Sequence, residues 1–158
     1  MNSKKQKQAT LAMWIAVVPL ALAMAACAVP GLWAHQPALA FALVRGFSLV
    51  CHQNAERCFV LFGGTVAVCA RCLGIYLGAA AGLAMRVSRP TAVRWFATAV
   101  GVSALEWVSE VAGFHGNWMG VRLALGFAVG ATAATLVTSA RPAAWVESAS
   151  ASGASVIN

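Results

Sequence analysis

The stretch CHQNAERCFVLFGGTVAVCARCLGIYLG, residues 51–78, gathers most of the reactive side chains of an otherwise aliphatic chain. It holds four of the five cysteines and one of the three histidines, together with two arginines. The rest of the chain is dominated by alanine, valine, leucine and glycine. Such a concentration predicts that the segment forms one half of a functional site and that later parts of the chain supply the other half.

The composition is typical of a membrane protein. Of 158 residues, 61% are hydrophobic and 9% are charged, whereas a typical soluble domain carries roughly 25% charged residues. A chain with so few polar groups cannot cover its surface with them, so the lipid bilayer is the expected partner. The net charge of +7 does not indicate nucleic acid, because the basic residues lie at the ends of apolar runs rather than in one patch.

The apolar runs predict an all-α fold, an integral membrane bundle of about four transmembrane helices. Residues 1–9 are predicted to form a basic cytoplasmic head, residues 10–140 a single membrane domain and residues 141–158 a disordered tail. The run at 38–50 is too short to cross a bilayer and predicts an interfacial helix. The four predicted spans are about 10–33, 66–85, 91–114 and 119–139.

The first apolar run has a second interpretation, a cleaved secretory signal. Three lysines precede it, and MAAC, which ends at Cys27, resembles a lipoprotein cleavage box. The run continues past Cys27 to Trp33, which is long for a signal and favours a retained helix.

The basic residues predict the orientation of the bundle. With both termini in the cytoplasm of a bacterial cell, seven of the eleven lysines and arginines lie on the inner side, as the positive-inside rule requires. The Cys/His-rich segment is then extracytoplasmic, at the outer face of the inner membrane. The seven inner residues are Lys4, Lys5, Lys7, Arg86, Arg89, Arg94 and Arg141, and the other four are Arg45, Arg57, Arg71 and Arg122.

The sequence CARC, residues 69–72, has a spacing that suits two chemistries. Two thiolates three residues apart can hold one side of a tetrahedral zinc site, with Cys51 and Cys58 as further ligands and His52 beside them. The same pair, Cys69 and Cys72, can instead form a redox-active disulfide at a helix N-terminus. Structural disulfides and inert buried thiols are the remaining alternatives.

Glu106 lies inside the third predicted span, where a charge needs a partner. Arg71 and Arg122, near the ends of their own spans, are the predicted partners in a buried ion pair. Such a pair is either structural, or part of a proton or ion relay, or an anchor for an anionic ligand. Glu110, one turn nearer the end of the helix, is predicted to be solvated.

Gly74, Gly78 and Gly82 recur every four residues and predict a bare helix face that another helix can approach closely. They are candidates for a contact in a homo-oligomer or with a partner membrane helix. Gly126 and Gly130 form a second face of this kind in the last span.

The segment resembles the family of small prokaryotic membrane proteins called domain of unknown function 2085, whose hallmark is a CHQ…ER…CARCxGIYxG motif. A second block resembles this family at Glu106, Asn117, Arg122, Leu123 and Gly126. Two positions depart from the family pattern, which has serine at Cys58 and usually aspartate at Glu106. The first block matches at Cys51, His52, Gln53, Glu56, Arg57, Phe59, Cys69, Ala70, Arg71, Cys72, Gly74, Ile75, Tyr76 and Gly78.

The resemblance implies that Cys51, His52, Cys69 and Cys72 are the shared set of metal ligands, with Cys58 optional. The expected function is therefore a membrane protein that binds zinc or another transition metal at its outer face. The alternatives are a membrane thiol–disulfide oxidoreductase that uses Cys69 and Cys72, and a small structural or accessory membrane subunit. The sequence predicts no other cofactor and assigns no catalytic residue.

Overall fold

The computed structural model describes residues 3–85 and 87–139. Five helices and one small β-hairpin make up this part of the chain. Arg86, Arg141 and the predicted tail at 141–158 lie outside the described residues. The elements in chain order are α1 (Ser3–His35), α2 (Pro37–Phe47), a 3-10 turn (Ala55–Arg57), β1 (Cys58–Leu61), β2 (Gly64–Cys69), α3 (Ala70–Gly82), α4 (Arg89–Val111) and α5 (Met119–Ser139).

Two of these helices are long and apolar enough to cross a membrane, α5 and the Val17–His35 part of α1. The predicted count of about four spans is not confirmed. Helix α3 has 13 residues, or about 20 Å, which is too short for a hydrocarbon core of about 30 Å. Helix α4 has 23 residues and is long enough, but Arg94, Glu106 and Glu110 reduce its hydropathy.

The β-hairpin replaces the first part of the predicted span at 66–85, so the all-α prediction is wrong at this point. Strands β1 and β2 pair antiparallel, with Leu61 opposite Gly64 and Cys58 opposite Cys69. The two residues between the strands, Phe62 and Gly63, both have positive φ, 49° and 79°. This backbone matches the right-handed twist of a two-residue hairpin, which is why a glycine is found there.

Helices α3 and α5 pack with their backbones in close contact. A Cβ added at Gly78 would overlap the backbone of Phe127, and one added at Gly126 would overlap the carbonyl of Arg71. Gly74 and Gly82 meet the α5 backbone in the same way. The glycine face predicted to bind a partner helix is therefore occupied by α5 of the same chain, which corrects that prediction.

The buried core lies where α1, α2, β2 and α3 meet. Ala26 and Val29 of α1 and Val68 of β2 are fully buried there, and Phe47 closes the core from the end of α2. The chain breaks between α1 and α2 at Gln36, because Pro37 begins the second helix at a position that tolerates its missing N–H. The core thus holds the loop after α2 against the hairpin and the start of α3.

Candidate metal centre

Three cysteines from three different elements form the centre of the site. Cys51 lies in the loop after α2, Cys69 ends β2 and caps the N-terminus of α3, and Cys72 lies in the first turn of α3. The change from strand to helix at Cys69 brings Cys72 back over it, since residues three apart share a helix face. The hairpin and the loop after α2 then bring Cys51 to the same place.

The three thiols are close enough to share one ion. Their sulfur atoms all lie within 4.8 Å of one another, and Cys51 is buried while Cys69 and Cys72 are half-buried. Tetrahedral zinc with Zn–S bonds of about 2.3 Å places its sulfur ligands about 3.8 Å apart, a spacing that the 4.8 Å limit includes. All five cysteines of the chain are free thiols.

Cys51 is the acceptor of hydrogen bonds within this group. The thiols of Cys69 and Cys72 hydrogen-bond its sulfur and hold the pKa of the Cys51 thiol well below its usual value. The backbone N–H of Cys69 also donates to the Cys51 sulfur, at 3.2 Å. A sulfur that accepts several hydrogen bonds is stabilised as a thiolate, which is the form that binds metals and attacks disulfides.

Gln53 holds the loop that carries Cys51. Its side-chain amide donates to the carbonyl of Val44 at 2.9 Å and to that of Ala67 at 2.7 Å, joining α2 to β2. Its φ of 49° is in the left-handed region that few residues adopt. Sequence reasoning included Gln53 in the CHQ motif but gave it no role, and its position beside Cys51 and His52 was the available signal.

The other two predicted ligands lie outside this group of three. His52 is exposed, and its ring is not among the ligand atoms that lie within 4.8 Å of one another. Cys58 is 2% exposed and its thiol donates to the carbonyl of Asn54 at 3.2 Å. Burial, aided by the charges of Cys51 and Cys69, raises the pKa of Cys58 to about 11.

An ion network of five residues lies next to the cysteines. It forms a chain of alternating charge, in which Arg57 pairs with Glu110 at 3.2 Å, Glu110 with Arg122, Arg122 with Glu106 at 3.6 Å, and Glu106 with Arg71. The side chains of Arg122, Glu106 and Glu110 are 4%, 8% and 11% exposed. The prediction that Glu110 is solvated is therefore wrong, because Arg57 and Arg122 enclose it.

Each end of the ion network is close in sequence to a cysteine. Arg71 stands between Cys69 and Cys72, and Arg57 precedes Cys58, which pairs with Cys69 in the hairpin. The network contains three guanidinium groups and two carboxylates, so it carries one positive charge in excess. Each carboxylate lies between two guanidinium groups, so both buried acidic charges are paired.

A cavity of about 620 Å³ opens beside the cysteine group. Cys72 and Tyr76, one turn apart on α3, line it together with apolar residues of α1 and α2, among them Leu22 and Phe47. Cys72 therefore belongs both to the cysteine group and to the wall of an apolar cavity.

A family model described as "Predicted membrane protein (DUF2085)" matches residues 51–136, more than half of the chain. The chain belongs to this family. The DUF2085 match begins at Cys51 and ends within α5, so it includes the three grouped cysteines and all five residues of the ion network. The family description and the two apolar helices together support a membrane location.

One relative of this DUF2085 chain is the archaeal "Uncharacterized protein MJ1492" of Methanocaldococcus jannaschii. The two are 54% identical over 37 residues, which is 23% of this chain and 24% of the relative. The chain thus matches about a quarter of that protein's length. No solved structure matches the chain.

Proposed function

We propose that this chain is an integral membrane protein that binds a metal ion, zinc or another thiophilic transition metal, through Cys51, Cys69 and Cys72. The observation that carries the proposal is that three sulfur atoms from three separate elements lie within 4.8 Å of one another. Thiolates are the preferred ligands of zinc and of other thiophilic ions, and a Cys-x-x-Cys pair joined by a third cysteine is a common donor set.

His52 is the proposed fourth ligand, because it directly follows Cys51 in the chain. It needs a change in the backbone or side chain around residue 52 to join the three thiols, since its exposed ring lies outside the group. Cys58 is the weaker candidate, because its thiol is held neutral by burial and donates to a carbonyl.

The proposed location is the outer face of the bacterial inner membrane, with both termini in the cytoplasm. The distribution of lysine and arginine along the sequence supports this orientation. In the proposed topology the cysteine group and the ion network of Glu106, Arg71 and Arg122 lie near the outer ends of the helices. The paired charges of that network support a structural role more than a relay, because a guanidinium group does not release its proton.

The test is elemental analysis of the purified full chain beside a Cys69→Ala, Cys72→Ala double variant. Wild type prepared under reducing conditions is expected to hold about one metal ion per chain, and the double variant none. Cys27→Ala is the matched control, because Cys27 lies on α1 and is not part of the group. Metal-free wild type, or equal metal in wild type and the double variant, would refute the proposal.

A second candidate function is a membrane thiol–disulfide oxidoreductase, and one observation favours it. The lowered pKa of Cys51 provides a thiolate within reach of Cys69 and Cys72, and Cys72 also lines the apolar cavity. In this role two of the three thiols would lose two electrons and two protons to an oxidant and form a disulfide. Thiol trapping that finds all three cysteines permanently reduced at every redox poise would exclude it.

The third candidate, a structural or accessory subunit, has less support. Its predicted contact face at Gly74, Gly78 and Gly82 is covered by α5. Co-purification of one partner protein in a fixed stoichiometry would support the role of an accessory subunit.

A further inference from the structure

A second cavity, of about 370 Å³, shares no lining residue with the apolar one. It is bounded by α3, α4 and α5, and it is separate from the three cysteines. Its walls combine two polar groups with an otherwise apolar surface. The lining residues are Arg71, Val100, Ser103, Ala104, Trp107 and Val129.

The two polar residues that line this cavity have unused hydrogen-bonding capacity. Arg71 reaches Glu106 through its terminal NH2 group, whereas its Nε is buried and has no hydrogen-bond partner among the described residues. Ser103 is 9% exposed, and within the part of the chain that the structure describes its hydroxyl makes no hydrogen bond. A buried donor without a partner costs about 1–3 kcal/mol, so a ligand that accepts from the Arg71 Nε–H is favoured, and the Ser103 hydroxyl on the same wall is free to donate to it.

The charge of the ion network indicates the sign of this ligand. Arg57, Arg71 and Arg122 outnumber Glu106 and Glu110 by one, and Arg71 is the member of this network that lines the cavity. An excess cation in a region of low dielectric attracts a single negative charge. Within the network itself, a singly charged anion that accepts hydrogen bonds matches this excess.

The shape of the cavity indicates that the anion carries an apolar tail. Trp107 and Val100 are seven residues apart on α4, so the cavity follows that helix for about 10 Å. Val100 and Trp107 are 41% and 48% exposed, which leaves the cavity open to the surrounding lipid. A free anion would leave the apolar side chains of Val100, Ala104 and Val129 without an apolar group to contact in the cavity.

We propose that this cavity binds an anionic phospholipid, with the phosphodiester at Arg71 and Ser103 and an acyl chain along Val100 and Val129. A phosphodiester carries one negative charge, which neutralises the excess charge of the network. It also offers two acceptor oxygens, one for the Arg71 Nε–H and one for the Ser103 hydroxyl. The bound lipid would hold α4 against α3 and α5 at the level of the ion network.

Native mass spectrometry of the full chain in detergent tests this site. The probes are phosphatidylglycerol and phosphatidylcholine with identical acyl chains, and inorganic phosphate as the free anion. One phosphatidylglycerol per chain is expected to remain bound. Phosphatidylcholine has the same phosphodiester, but its trimethylammonium group brings a positive charge next to the excess positive charge of the network, so it is expected to bind at least about tenfold more weakly. Equal retention of the two lipids would overturn the proposal.

Two serines on α4 provide a matched pair of variants. Ser103→Ala is expected to weaken phosphatidylglycerol binding about tenfold, whereas Ser109→Ala is expected to leave it unchanged, because Ser109 bonds to Glu106 and His115 away from the cavity. Ser103→Leu, which fills the cavity, is expected to abolish binding while the far-UV circular dichroism stays that of wild type. Equal effects of the two alanine variants would place the lipid elsewhere. Displacement of the lipid by an equal concentration of inorganic phosphate would assign the cavity to a free anion.

Discussion

Replacing Gly78 by alanine tests how closely α3 and α5 must approach. The added Cβ would overlap the carbonyl oxygen, carbonyl carbon and Cα of Phe127. These are backbone atoms of a helix, so no side-chain rotation can relieve the overlap and the two helices must separate. Overpacking costs about 1–3 kcal/mol. Because the backbone of Phe127 cannot move aside, we expect the cost for Gly78→Ala to be near the upper end of this range. The helix propensity of alanine is more favourable than that of glycine by about 1 kcal/mol, which offsets part of this cost. We therefore expect the free energy of unfolding to fall by about 2 kcal/mol.

Gly101→Ala is the matched control for this prediction. Gly101 lies within α4, and a Cβ added there would meet no atom within 4 Å. The helix propensity then acts alone and should raise the free energy of unfolding by up to about 1 kcal/mol. Denaturant titration of the full chain in micelles, followed by tryptophan fluorescence, measures both variants. If Gly78→Ala were as stable as Gly101→Ala, the close α3–α5 contact would not exist as described.

Three further predictions concern the ion network and the cysteine-bearing loop. Arg122→Met removes the guanidinium group that Glu106 and Glu110 share and leaves each of these buried carboxylates with one partner, Arg71 and Arg57. It should lower the free energy of unfolding by about 3 kcal/mol, the low end of the range for breaking a buried pair, whereas Arg57→Met, at a 36% exposed side chain, should cost about 1 kcal/mol or less. Similar losses for the two variants in thermal or denaturant unfolding would contradict the central position of Arg122. Gln53→Ala removes two hydrogen bonds and should lower the free energy of unfolding by about 2 kcal/mol. Gln53→Gly should lower it by less, because glycine adopts the positive φ at this position without strain. A glycine variant less stable than the alanine variant would contradict the positive φ. The pKa of Cys58 is raised from 9.0 to about 11, so at pH 8 its thiolate fraction is about a hundredfold lower than that of a free cysteine. Cys58 should therefore be alkylated about a hundredfold more slowly. Peptide mapping after timed iodoacetamide treatment measures this rate, and a rate equal to that of a free cysteine would contradict the raised pKa.

The sequence predicted the grouping of the reactive residues better than it predicted the local fold around them. The Cys-x-x-Cys spacing and the nearby Cys51 indicated a cysteine group, and these three cysteines lie together. The strand β2 was missed because Val66, Ala67 and Val68 form a short apolar run, which periodicity alone cannot assign to a strand or a helix. The available signal for a hairpin was Gly63-Gly64, a turn-forming pair between two short β-prone segments.

Two other errors have a common cause, which is that spacing along a helix does not identify the neighbour that it faces. The Gly74, Gly78 and Gly82 repeat correctly indicated a close helix contact, but the contacting helix is α5 of the same chain. Glu110 lies near the end of α4, and its distance from that end suggested solvation. Its burial depends on Arg122, a residue of α5 that only the tertiary fold brings opposite to it.

The location of Arg122 between two carboxylates of α4 has a consequence for the biogenesis of the protein. Helix α5 entering the bilayer alone would carry an unpaired guanidinium, at a cost of at least about 2.5–3.5 kcal/mol. Helix α4 alone would carry two acidic residues. The connection between them spans only residues 112–118, so we expect the translocation machinery to release them as a helical hairpin whose charges neutralise each other before either helix meets lipid.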